Sequence, residues 1–254
     1  MTPVFLVGGG RADDAIRASH APFVEAAHGG PIVAIVLDEG DDTDVARWTA
    51  ALGLAGAGEV VPLVVSPARP PRADDTSGAA GVFVAGGWTP GYQEALAAGE
   101  AGWLPPGVPY AGFSAGAAIA AGNAIVGGWL LGGVAVCAEE AGEDLGEVQT
   151  RPGLGLVPFA VDVHATQWGT LTRLVHAVGA GLVNDGWAVD EGTVLVVDDG
   201  TTRVEGVGSA YRVERAGAGV GVGDGSGVGV GDRDRDGVCV TIVRGAPRSA
   251  TRPA

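Results

Sequence analysis

Val108-Pro109-Tyr110-Ala111-Gly112-Phe113-Ser114-Ala115-Gly116-Ala117-Ala118-Ile119-Ala120-Ala121 reads as a short apolar strand, a G-x-S-x-G turn and a run of small residues compatible with a helix. Strand, sharp turn and helix form the context that lifts a serine out of a fold as a nucleophile. Glycines on both sides suit a turn too tight for neighbouring Cβ atoms, in which the backbone takes unusual angles. A helix starting there would aim N–H groups at negative charge developing beside the serine. Glycine supplies 46 of the 254 residues, so the pentapeptide alone decides little and Ser114 needs partners elsewhere in the chain.

Outward from this stretch, short apolar runs alternate with helix-like segments. Val4 to Val7, Ile32 to Leu37, Val60 to Val65 and Gly81 to Ala85 read as strands, with helical composition over 15–27, 44–54 and 92–98. Strands that are apolar throughout and separated by helices indicate a doubly wound, mostly parallel α/β sheet covered on both faces. Ligands bind beyond the carboxyl ends of the strands in such sheets, and Gly86-Gly87 and Ser114 both fall at strand ends. Runs at 194–197, 210–213 and 238–243 lack long helices between them and predict a C-terminal antiparallel or mixed extension of the sheet. Residues 1–245 are expected to form one α/β domain. Residues 216–237, rich in Gly, Val and Asp, read as a flexible hairpin loop or a low-complexity insertion, and 246–254 as a frayed, disordered tail.

Composition narrows the classes. Net charge is −15, and all fifteen basic residues are arginine. That balance argues against nucleic acid as a partner and provides no basic anchor for anionic membranes. The N-terminus lacks a signal-peptide pattern and no stretch has the length of a transmembrane helix, so a soluble, cytoplasmic protein is expected. Cys137 and Cys239 lack metal-ligand spacing. Asp232-Arg233-Asp234-Arg235-Asp236-Gly237 resembles the opening of a calcium loop, but Val243 stands where its bidentate carboxylate belongs. Gly8-Gly9-Gly10 fails the dinucleotide fingerprint because Asp13 occupies the third glycine position, and reads as a tight turn. No metal or organic cofactor is implied.

A serine nucleophile needs a base, and the base an orienting acid. His20 and His28, in or after the first helical segment, read as solvated surface, and His176 as a structural residue inside a helix. His164 closes the apolar run Phe159 to Val163 and precedes the helix-like 170–178, so it stands at a strand end as Ser114 does. Asp190 and Glu191 lie immediately before the apolar run at 194–197. The order Ser, His, acid fits these residues better than the Ser, acid, His order of α/β-hydrolases.

Taken together, Gly86-Gly87, Gly112-Phe113-Ser114-Ala115-Gly116-Ala117, Val161-Asp162-Val163-His164 with Arg173-Leu174, and Val189-Asp190-Glu191-Gly192-Thr193 resemble the aspartyl dipeptidase (peptidase E) and cyanophycinase family of serine peptidases over roughly residues 4 to 213. The resemblance implies a class I glutamine amidotransferase-like fold and a Ser-His-Glu triad acting on small peptides. Ser114 would be nucleophile, His164 general base and acid, and Glu191 the orienting carboxylate, with the amides of Gly87 and Ala115 as oxyanion donors. Asp162, Arg173 and Thr89 would position substrate. Where cyanophycinases carry glutamine, an aromatic residue and two arginines around the histidine, this chain has Val163, Ala165, Trp168 and Thr170. Trp88-Thr89-Pro90 follows the double glycine in place of their polar pair. These exchanges leave the substrate open and raise an alternative, a catalytically silent amidotransferase-like binding or regulatory module. Oligomeric state is open, a homodimer being one option.

Overall fold

The computed structural model describes residues 2–97, 101–216 and 237–246. In chain order its elements are β1 (Val4–Val7), α1 (Asp13–Ala26), β2 (Ile32–Leu37), α2 (Val45–Leu54), β3 (Val60–Val65), β4 (Gly81–Val84), α3 (Thr89–Leu96), β5 (Tyr110–Phe113) and α4 (Ala115–Ala118). There follow β6 (Asn123–Gly127), β7 (Leu130–Leu131), β8 (Val134–Ala135), β9 (Gln149–Pro152), β10 (Ala160–Val163), α5 (Thr170–Gly179), β11 (Asp185–Val189), β12 (Thr193–Asp198), β13 (Thr201–Gly206), β14 (Ser209–Arg215) and β15 (Val238–Arg244). The expected calcium-like loop and tail fall, apart from Gly237 and Ala246, outside the described residues, as do residues 217–236 of the expected hairpin loop.

The main sheet has the order β13-β12-β1-β5-β4-β2-β3. Its five strands β1, β5, β4, β2 and β3 are parallel, and β12 and β13 continue it antiparallel. β1, β2, β4 and β5 are buried along their whole length, as continuous apolar runs require when helices cover both faces. The chain runs from β1 out to β2 and β3 and back through β4 to β5, with α1 packed on α2 and α3 on α4. Under α1 and α2, Phe23, Trp48, Phe83 and Phe113 form an aromatic cluster.

Three expectations change. The C-terminal strands do not all extend one sheet: β10, β11, β14 and β15 form a second, mixed four-stranded sheet, with α5 packed on β10, β11 and β14. The helix after Ser114 ends at Ala118 rather than running through Ala121, because the carbonyls of Ile119, Ala120 and Ala121 accept from Leu154, Leu156 and Gly155 instead of from a further helical turn. His20 is not solvated but 1% exposed. It shares the buried stripe of α1 with Phe23, Val24 and Ala27, at helical spacing.

Candidate active site

Ser114 follows β5 directly and caps α4 with φ 51° and ψ −109°. That conformation turns the chain back on itself, and the glycines of the motif make room for it. A Cβ on Gly112 would lie 2.3 Å from the carbonyl carbon of Gly116, and one on Gly116 would lie 2.4 Å from the carbonyl oxygen of Val84. Backbone bonds lock the turn: Ser114 N–H donates to Val7 at 2.9 Å, Gly116 N–H to Ala85 at 3.2 Å, and the Tyr110 hydroxyl to the Gly116 carbonyl at 2.7 Å.

His164 follows β10 in the second sheet, also with positive φ, 55°. Its Nε2 lies 2.8 Å from Ser114 Oγ, and its Nδ1 lies 2.8 Å from Glu191 Oε1. A carboxylate accepts only, so Nδ1 carries the proton and Nε2 is free to accept from the serine hydroxyl. Burial, the largest influence, pushes the imidazole below its ordinary pKa, while the hydrogen bond and charge of Glu191 pull the other way. Glu191 sits in the short turn between β11 and β12, and its N–H donates to Gln167 Oε1 at 3.0 Å. The neighbouring Asp190 faces elsewhere, taking hydrogen bonds from Thr166, the Ser209 amide and the Tyr211 hydroxyl.

The turn at Gly8-Gly9-Gly10 joins the two sheets beneath this chain of hydrogen bonds. His164 N–H donates to the Gly8 carbonyl at 2.9 Å and Gly192 N–H to that of Gly9 at 2.8 Å. Gly9 has φ 116°, and a Cβ there would lie 2.2 Å from His164 Cε1. The triglycine is therefore a seat for the imidazole, a role its sequence alone does not reveal.

Gly86-Gly87 abuts the serine, a Cβ on Gly86 lying 3.1 Å from Ser114 Cβ. Among the described residues the amides of Gly87 and Ala115 have no hydrogen-bond acceptor. Two carboxylates hold the loop that bears Gly87. Glu39 Oε1 accepts from Trp88 N–H at 2.6 Å. Glu143 accepts from Thr89 N–H at 3.1 Å and from its hydroxyl at 2.9 Å. Burial pushes the Glu143 carboxyl up, and the Thr89 bonds offset this in part. Nothing in the sequence near Glu39 or Glu143 signals this clamping, which joins segments about fifty residues apart.

Asp162 and Arg173 face each other rather than the serine. Arg173 Nε and a terminal nitrogen donate to the two Asp162 oxygens at 2.9 and 2.7 Å, and its remaining nitrogen donates to the Gly128 and Ala141 carbonyls. Burial opposes the guanidinium charge most strongly, but the charge and hydrogen bonds of Asp162, with Cys137 and Glu143, outweigh it and raise the Arg173 pKa. Thr89, 4% exposed, is likewise engaged by Glu143.

Ser114, His164 and Glu191 open onto a cleft of about 1280 Å³. Its walls carry Glu39, Asp42, Asp44, Glu139, Glu140, Glu143 and Asp144 against Arg11 and Arg47, with Trp48, Trp88, Trp129 and Trp168 between them. Among the described residues no three His, Cys, Asp or Glu side chains gather as a metal-ligand set, and no helix is long and apolar enough to cross a membrane.

No protein-family model matches the chain, and no curated protein matches it. A crystal structure of a peptidase from an acI-B1 Actinobacterium is similar to it, with a TM-score of 0.59 and 17% identity, over 84% of this chain and 90% of that one. At that identity the likeness is one of fold.

Proposed function

We propose that this chain is a serine-type peptidase that hydrolyses small peptides through an acyl-enzyme. The observation that carries the reading is the unbroken path Ser114 Oγ to His164 to Glu191, two hydrogen bonds of 2.8 Å each. The likeness in fold to a structure described as a peptidase supports it, as does the resemblance to the peptidase E and cyanophycinase family, with its amidotransferase-like architecture.

In this mechanism His164 takes the proton of Ser114 as the oxygen attacks the scissile carbonyl. Glu191 keeps the proton on Nδ1 and stabilises the imidazolium that forms. The amides of Gly87 and Ala115 receive the developing oxyanion, each such donor being worth about 3 kcal/mol. His164 then protonates the leaving amine, and water, activated by the same imidazole, releases the acyl group. Asp162 and Arg173 act as the strut beneath the site rather than as the substrate grip, since their polar atoms already satisfy one another. Thr89 acts by holding Glu143 against the oxyanion loop.

A dipeptide library with N-terminal Asp, β-Asp, basic and apolar residues, assayed for released amino acids, tests the proposal. Hydrolysis by the wild type that falls by about 10⁴-fold or more in Ser114→Ala and in His164→Ala is the expected result. No hydrolysis by folded wild type would leave the silent binding module as the better reading, and undiminished hydrolysis by either variant would refute the triad.

A further inference from the structure

His164 does not rest on Gly9 and Glu191 alone. The indole of Trp168 lies flat on its imidazole, ring centroids 3.8 Å apart and planes within 6°. This contact is set by the backbone rather than by chance approach of a surface side chain. Trp168 N–H donates to the His164 carbonyl at 2.9 Å, and Leu171 N–H to that of Ala165 at 3.2 Å. The Thr170 hydroxyl donates to the carbonyl of Val163. Gly169, at φ 72°, makes the left-handed step into α5. Trp168 is 45% exposed and forms part of the cleft wall. A large aromatic side chain left nearly half exposed, with its face on the imidazole, belongs to the cleft wall rather than to the closed core.

Resting on the peptidase reading, we infer that Trp168 is a positioning residue for His164: its indole keeps the imidazole in the plane shared by Ser114 and Glu191 and offers a π face to the positive charge that ring acquires during turnover. A cation stacked on an aromatic face is held there by the ring's quadrupole, which favours the protonated over the neutral imidazole. The other charges that reach the imidazole are Glu191 in contact, and Asp162 of β10 and Arg173 of α5, whose opposed effects accompany their mutual pairing. Glu143 and Arg11 line the same cleft. None of these stacks on the ring, so the indole's effect is separable from theirs.

The experiment compares Trp168→Leu, which keeps an apolar group without a π face, with Trp168→Phe, which restores one. The His164 ring proton resonances, assigned by their loss in His164→Ala, are titrated by NMR, and kcat and KM are measured on a dipeptide substrate. In Trp168→Leu the imidazole pKa should fall by about half a unit. Its kcat should fall about tenfold with KM changed less than about twofold, in line with a misplaced catalytic group. Trp168→Phe should recover most of both. An unshifted titration in Trp168→Leu, or a Phe variant no different from Leu, overturns the inference. Should Trp168→Leu not fold, the wild type decides the matter through indole fluorescence, which a stacked imidazolium quenches: a fall on acidification that is absent from His164→Ala supports the contact, and identical curves refute it. The titration and fluorescence report the contact whether or not the protein turns over peptides, so failure of the peptidase reading would appear separately, as an inactive wild type.

Discussion

Ser114 and His164 both hold positive φ angles, 51° and 55°, which side-chain-bearing residues rarely adopt. Each such position costs about 1–3 kcal/mol and persists only where its surroundings impose it. Here the imposing groups are backbone: Val7 and Gly116 around the serine, Gly8 and Gly9 around the histidine. Gly9→Ala is therefore expected to displace His164 and lower kcat/KM by about 100-fold or more while the protein still folds, checked by steady-state kinetics beside circular dichroism. Glu191→Gln should leave the fold intact yet lower kcat by about 10³–10⁴-fold, because an amide donor can turn the imidazole to the wrong tautomer. The pH profile follows from the same ring. His164 must be neutral to act as base, and burial lowers its pKa from the ordinary imidazole value of 6.5. The acid limb of kcat/KM should accordingly have its midpoint below pH 6.5, with activity flat above it.

Among the elements, α1 carries an acid-sensitive group far from solvent. His20 packs at tilted angles beside Phe83 and Phe113, and among the described residues its Nε2 has no hydrogen-bond partner. Burial lowers its pKa to about 4 from 6.5. The native state thus binds fewer protons than the unfolded chain below pH 6.5, so stability is full above that value and declines as pH falls to about 4. The loss is about 3 kcal/mol over this window, and His20→Leu should remove that part of the slope in denaturant unfolding followed against pH. The Asp162–Arg173 pair ties β10 to α5 and to the loop carbonyls of Gly128 and Ala141. Arg173→Ala should cost about 3–5 kcal/mol by leaving a buried carboxylate unpaired. Much of this scale was legible in the sequence: β1, β2 and β3 begin and end where their unbroken apolar runs do. The short β6 to β9 were not, since they are two- to five-residue pieces without alternation, β6 pairing with the distant β9 and β7 only with the adjacent β8. His20 was misjudged because a polar residue in a helix reads as surface unless its place on the apolar stripe is counted.

Over the whole molecule, two sheets meet at the triglycine turn and bring three strand ends to one cleft. Ser114 and His164 stood out in the sequence because each follows an apolar strand run, whereas between Asp190 and Glu191 only the family resemblance chose. Gly9, Glu39 and Glu143 did not stand out, because they act through backbone and loop contacts that only the fold creates. The cleft shares the acidity of the chain, whose net charge is −15. Dipeptides with a net positive charge should therefore be turned over with a kcat/KM about tenfold above that of acidic ones at low ionic strength, and the gap should narrow as salt is added. The claim on which these predictions depend is that Ser114 is a nucleophile activated by His164. Incubation with a fluorophosphonate probe, followed by peptide mapping in a mass spectrometer, tests it directly. Labelling on Ser114 in the wild type, and its near-complete loss in His164→Ala, is the predicted result; a folded wild type left unlabelled, or one labelled equally well without His164, would contradict it.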